Sequence, residues 1–192
     1  MLTEFIDFVC TIIPSIPLET REKLQNSIDQ FKFEEKELNL LMLKPLDTLS
    51  QGDIISKVPF VHFDNNGNLK QFNTEAMVIS TSCHIDQKQR ITLVPVLPLV
   101  AFNGNKTDLF NNRIYDYMYI SDPVMQEKFV DFEYMNTYSK DLIINGIAEN
   151  KIQRLASLSQ FGYYFFLTKL TIFLMRKEDS ITLEERNRGF DF

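Results

Sequence analysis

The residues best suited to chemistry gather in one short stretch, Ser80-Thr81-Ser82-Cys83-His84-Ile85-Asp86-Gln87. Hydroxyls, a thiol, an imidazole and a carboxylate stand there together, enough for a nucleophile and an acid/base partner. The stretch follows an apolar run, Met77-Val78-Ile79, where a rigid strand hands over to a loop. Functional groups are often carried at such places. Cys83 is a candidate nucleophile. In an extended segment its neighbour His84 points to the opposite face, so His62, on a separate expected strand, is the better-placed base. The competing reading is a structural thiol beside a surface histidine.

Other chemistries are poorly supported. A zinc site would need Cys10, Cys83, His62 and His84, every Cys and His in the chain, and none has the close paired spacing of structural zinc ligands. No phosphate-binding loop, dinucleotide fingerprint or H-E-x-x-H occurs. No metal or cofactor is demanded, and no carboxylate pair stands out for acid/base work.

Composition sets the frame for these groups. The chain has 192 residues, 44% hydrophobic and 24% charged, which suits one globular domain. Phe 17, Tyr 7 and Trp 0 mean that plain phenyl rings supply much of the core volume. Lys and Arg number 20 against 26 Asp and Glu, a net charge of −6, which argues against a protein that coats nucleic acid without regard to sequence. Two cysteines in different expected elements imply reduced thiols and a cytoplasmic setting. The start lacks the basic region of a signal peptide, and the most apolar run, 161–175, contains Lys169, so no membrane span is expected.

The expected elements form a single domain, 1–192, of α+β class. Residues 1–38 form a helical N-terminal extension, with apolar stripes on both sides of Pro14 and Pro17. Residues 40–135 supply the strands of a small antiparallel β-barrel with a long insertion. Within them, 53–56 and 58–63 read as strand, and Pro59 marks an edge or bulge. Asp64-Asn65-Asn66-Gly67-Asn68 is a hairpin turn. Return strands follow at 69–73, 77–81 and 91–97, with a polar loop at 83–90. Further strands are expected at 115–120 and 129–134. Residues 139–176 hold the C-terminal helices. Ser159 caps the last of them, whose main face is Phe161, Tyr164, Phe165, Thr168, Ile172 and Met175. Its apolar flanks mean burial on more than one side, either within the domain or against another chain. The charged tail, 177–192, reads as a frayed helix ending in Gly189-Phe190-Asp191-Phe192, a candidate docking peptide.

Three segments, in order, resemble the MazF/PemK toxin family. Gln51-Gly52-Asp53-Ile54-Ile55 looks like the opening of that family's first strand. Ala76-Met77-Val78-Ile79-Ser80, followed by 91–97, is similar to its "valine-valine-leucine-serine" and "valine-proline" strands. Val130-Asp131, Thr137 and Ile152 to Ser159 look like its closing strand, short helix and last-helix cap. The match covers about residues 50–176, with a larger insertion after Leu97. The resemblance implies an SH3-like barrel ending in an apolar helix, bacterial RNA cleavage, an antitoxin partner and a homodimer.

Carried over residue by residue, the family's hydroxyl falls on Thr81 or Ser82. Its catalytic arginine has no counterpart in Gln71 to Ala76, where Lys70 is the nearest cation. Cys83-His84-Ile85-Asp86 resembles a serine-x-x-cysteine-aspartate pattern of bacterial relatives. The expectation is therefore a divergent toxin or phage-defence component. Thr81, Ser82, Cys83, His84 and Asp86 would be its catalytic residues, and Lys70, Arg90 and His62 would hold RNA. The alternative is a non-catalytic interaction subunit that uses the barrel groove or the last helix.

Overall fold

A computed structural model describes residues 39–42, 44–120, 125, 127–175 and 180–188. The two helices expected within 1–38, Cys10 and the Gly189–Phe192 tail lie outside the described residues. The strands are β1 (Leu41–Met42), β2 (Ile54–Phe63), β3 (Leu69–Val78), β4 (Arg90–Pro98), β5 (Tyr117–Ile120), β6 (Lys128–Asp131), β7 (Asn136–Ser139) and β8 (Arg154–Leu158). The helices are α1 (Ser82–Gln87), α2 (Lys106–Phe110), α3 (Lys140–Ala148), α4 (Gln160–Leu174) and α5 (Ser180–Arg188), with 3-10 turns at Leu99–Ala101 and Phe132–Tyr134. The class is α+β with a barrel-like antiparallel sheet, as expected. The strand order is β1-β8-β2-β3-β4-β6-β5, with β7 paired to β4.

Both faces of the sheet are covered, so its strands read as continuous apolar runs rather than alternating ones. Ile54, Met77, Val94, Val130 and Ala156 face one way and pack with Phe165 and Phe166 of α4. Ile55, Ala76, Val78, Ile91 and Leu93 face the other way and meet Ile85 of α1 and Ile143 of α3. A third, smaller cluster, Leu109, Tyr119 and Phe129, forms where the insertion folds back on β5 and β6.

The β2–β3 hairpin is longer than the sequence suggests. Residues 69–73 and 77–81 were expected as separate strands, yet β3 runs unbroken from Leu69 to Val78, because Thr74 and Glu75 pair with Val58 and Val96. The turn is as expected, with Gly67 at φ 77° and the Asp64 carboxylate accepting from the amides of Asn66 and Asn68, each at 2.9 Å. A bulge between Ile55 and Val58, with Lys57 at φ 58°, bends β2 just before Pro59.

Three other expectations are corrected. The polar loop at 83–90 is mostly helix, because Thr81 caps α1 and Ile85 anchors it in the core. The strand expected at 129–134 ends at Asp131, which caps the 3-10 turn by accepting from the Glu133 amide at 3.0 Å. The strand expected at 115–120 starts only at Tyr117.

β4 is forked. Arg90–Leu93 pair with β7 and Val96–Pro98 pair with β6, leaving Val94 and Pro95 between the two partners. The Phe132–Tyr134 turn links β6 to β7 across this gap.

Helix α4 begins where expected, with Ser159 accepting from the Gly162 amide at 3.0 Å. Its buried face is not the one expected: Gly162, Phe165, Phe166 and Lys169 are buried, while Met175 is 49% exposed. The glycine decides the rotation, because a Cβ at 162 would stand 2.1 Å from the Leu40 carbonyl oxygen. Only that side of the helix can approach β1 closely. Lys169 donates to the carbonyls of Asn112 and Ile114, which ties α4 to the insertion. No helix among the described residues is long and apolar enough to cross a membrane.

Candidate functional site

The polar stretch that dominates the sequence lies on and beside α1. Thr81, Ser82, Cys83, His84 and Asp86 are all exposed. Their hydroxyls serve the backbone: Thr81 Oγ1 accepts from the His84 amide at 3.3 Å, and Ser82 Oγ accepts from the Gln51 amide at 3.4 Å. The Asp86 carbonyl accepts from Lys140 Nζ at 3.1 Å. Arg90 opens β4 at this same end, opposite Ser139.

Lys70 and His62 lie elsewhere. They are cross-strand partners near the tip of the β2–β3 hairpin, and Lys70 is paired with Asp64 at 3.5 Å. From Lys70 to Val78 the strand alone spans about 26 Å at its usual rise per residue. The structure therefore does not bring the Lys70–His62 pair together with Thr81–Asp86. A base from His62 cannot reach Cys83, and His62 and His84 cannot share a metal. Among the described residues no group of three or more His, Cys, Asp or Glu is arranged to hold a metal ion.

What the hairpin tip does line is a cavity of about 580 Å³. On one side stand His62, Phe72 and Tyr134, in mutual edge contact with centroids 5.0 to 6.1 Å apart. The insertion and the outer strands contribute a second trio, Phe102, Tyr117 and Phe129, at 5.4 to 5.5 Å. Asp131 and Glu133 also line the cavity, on the segment that joins Phe129 to Tyr134. The cavity exists because the sheet face that carries Phe60 and Phe72 continues outward past the second core cluster before the insertion closes over it.

Its electrostatics are acidic. Asp131 is 4% exposed, and burial pushes its pKa up to about 6, with further lift from the neighbouring Glu133 and Asp116 charges. The Tyr117 hydroxyl donates to Glu133 at 3.2 Å, and burial with the nearby carboxylates raises its pKa. Among the described residues no Lys or Arg forms an ion pair with Asp131, Glu133 or Asp116. Lys128, on the same strand as Asp131, is held by Glu75 at 2.6 Å. His62 Nδ1 is shielded from solvent and has no hydrogen-bond partner.

Asp131 and Glu133 are absent from the sequence-derived site. A signal did exist: Asp131 stands in strand alternation with Phe129, so it had to share the face of a buried ring.

No protein-family description matches the chain. No curated protein matches it either. Among solved structures, it is similar to an endoribonuclease in complex with its cognate antitoxin from a mycobacterial species, with a TM-score of 0.42 and 10% identity. That alignment covers 69% of this chain and 100% of the other.

Proposed function

We propose that this chain is a non-catalytic binding subunit that holds a protein partner in the groove between the β2–β3 hairpin tip and the insertion. The carrying observation is the sign of the site. Its walls contain Asp131 and Glu133 and no lysine or arginine. An RNA phosphate brought there meets like charge, with no cation on the walls to stabilise a developing oxyanion. On α1, the Thr81 and Ser82 hydroxyls already accept from backbone amides.

The test is direct. Purified protein incubated with single-stranded and hairpin RNA should give no new bands on a denaturing gel. It should leave RNA anisotropy unchanged, and its expression should not arrest growth.

A second reading follows the MazF/PemK resemblance and draws on a different observation. Lys88, Arg90 and Lys140 cluster around the end of α1, where Cys83 and His84 are exposed. If RNA is cleaved, Arg90→Ala and Lys140→Ala should reduce cleavage and Glu133→Gln should not. That pattern would replace the binding-subunit reading.

A further inference from the structure

We infer that the cavity lined by His62, Phe72, Phe102, Tyr117, Asp131 and Glu133 is a seat for an arginine side chain presented by the protein partner. This rests on the binding-subunit reading and names its chemistry. The volume of about 580 Å³ accommodates such a side chain with some flanking backbone.

Two features select a guanidinium. Asp131 is almost fully buried and has no cationic partner among the described residues, and Glu133 beside it has none either. Buried carboxylates are ordinarily paired, and a forked donor can bridge both. The rings of Phe102, Tyr117 and Phe72 supply faces and edges against which a flat, weakly hydrated cation packs well. An ammonium, compact and strongly hydrated, meets fewer of these demands at once.

The surroundings favour a protein over a free small cation. Val100, 85% exposed, adjoins Ala101 and Phe102 of the cavity wall. An exposed apolar residue beside the mouth rewards a chain that carries a hydrophobic neighbour to its arginine.

The experiment titrates the full chain with fluorescein-labelled (Gly-Ser-Arg)₃ and with the same peptide carrying lysine, citrulline or glutamate instead of arginine. The arginine peptide should bind at least about tenfold more tightly than the citrulline peptide, which keeps the shape and loses the charge. The Asp131→Asn/Glu133→Gln variant should weaken arginine binding by about tenfold or more. Asn at 131 still accepts from the Glu133 amide, so the 3-10 turn is preserved, and an unchanged thermal midpoint verifies folding. Should the double variant be unstable, Glu133→Gln alone, at an exposed position, should still weaken binding several-fold.

A control variant, Glu184→Gln/Glu185→Gln, removes the same charge from α5, which does not line the cavity, and should change affinity less than about twofold. Equal losses in both double variants, or equal affinity for citrulline, overturn the inference as diffuse attraction to an acidic protein. A lysine peptide that binds as well as arginine overturns the guanidinium assignment. Spermine that displaces the arginine peptide at equal charge concentration overturns the protein occupant in favour of a free polyamine. Failure of the peptides without RNA cleavage leaves the binding-subunit reading standing, whereas RNA cleavage removes it whatever the peptides do.

Discussion

Arg154 Nη2 donates to Asp53 Oδ2 at 2.9 Å, and Asp53 is completely buried. The same guanidinium donates to the carbonyls of Asp47 at 3.2 Å and Thr48 at 2.9 Å, and Ser50 gives its amide to Asp53 at 3.0 Å. Ser157 donates its hydroxyl to the other carboxylate oxygen. One ion pair thus fastens the 46–50 segment, the start of β2 and β8 together. Arg154→Met would leave a buried carboxylate without its cation, at a cost of about 3–5 kcal/mol. Urea unfolding should show this loss, and Asp53→Asn added to Arg154→Met should cost less than the two single losses combined.

Gly162 carries a steric demand rather than a conformational one. Alanine at an ordinary helix position improves on glycine by about 1 kcal/mol. Here the new methyl would lie 2.1 Å from the Leu40 carbonyl oxygen, backbone that cannot step aside without moving β1. Gly162→Ala should therefore lower the thermal midpoint by several degrees. Gly67→Ala, with open space around it and φ at 77°, should cost only about 1 kcal/mol.

Asp131 makes stability pH-dependent in a particular direction. Its folded pKa of about 6 lies above the ordinary aspartate value of 3.8, so between those values the folded protein holds more protons than the unfolded chain. Stability from this group is therefore full below the lower value and declines as pH rises towards the upper one. Asp64, whose pKa is lowered by hydrogen bonds from the Asn68 and Asn66 amides, responds oppositely, so the comparison must be with Asp131→Asn. Relative to the wild type, that variant should gain on the order of 1–2 kcal/mol between pH 4 and pH 7, read from urea midpoints. No relative gain would show that solvent or a neighbouring group already relieves the buried charge.

Lys169 is buried at 5% exposure, and desolvation pushes its pKa down to about 8 although Asp116 opposes the shift. Its ammonium bridges the carbonyls of Asn112 and Ile114, and the Asn112 side chain in turn accepts from the Tyr119 amide at 2.7 Å. Lys169→Met removes a desolvated charge but orphans two carbonyls. A net loss of about 1–3 kcal/mol is expected, and faster amide exchange at Tyr119 should localise it to the insertion.

Much of the scaffold is visible in the residues. Asn-Asn-Gly between apolar runs announces the hairpin, Ser159 before an apolar run announces α4, and the β-branched 91–97 run announces β4. The arrangement of the chemistry is harder to read. Helix α1 is too short to show a period, and Ile85 is its only buried residue. Thr74 and Glu75 look like a break between strands, so the hairpin's full length stays hidden, and with it the gulf between Lys70 and Thr81. The cavity depends on where the insertion folds back, a tertiary fact that no local pattern encodes. Asp131 could have been singled out by its alternation with Phe129. Its neighbour Glu133 shares that alternation in the expected strand, although in the structure its place follows from where the strand stops.

A proline inside a sheet normally deprives a neighbouring strand of a donor. Pro95 pairs with Ala76 of β3 on one side and, on the other, stands where β4 passes from β7 to β6. On that second side the opposite chain leaves the ladder for a single turn, and that detour carries Glu133 and Tyr134 to the cavity wall. The acidic character of the groove is thus written partly in a strand that contributes no charge to it.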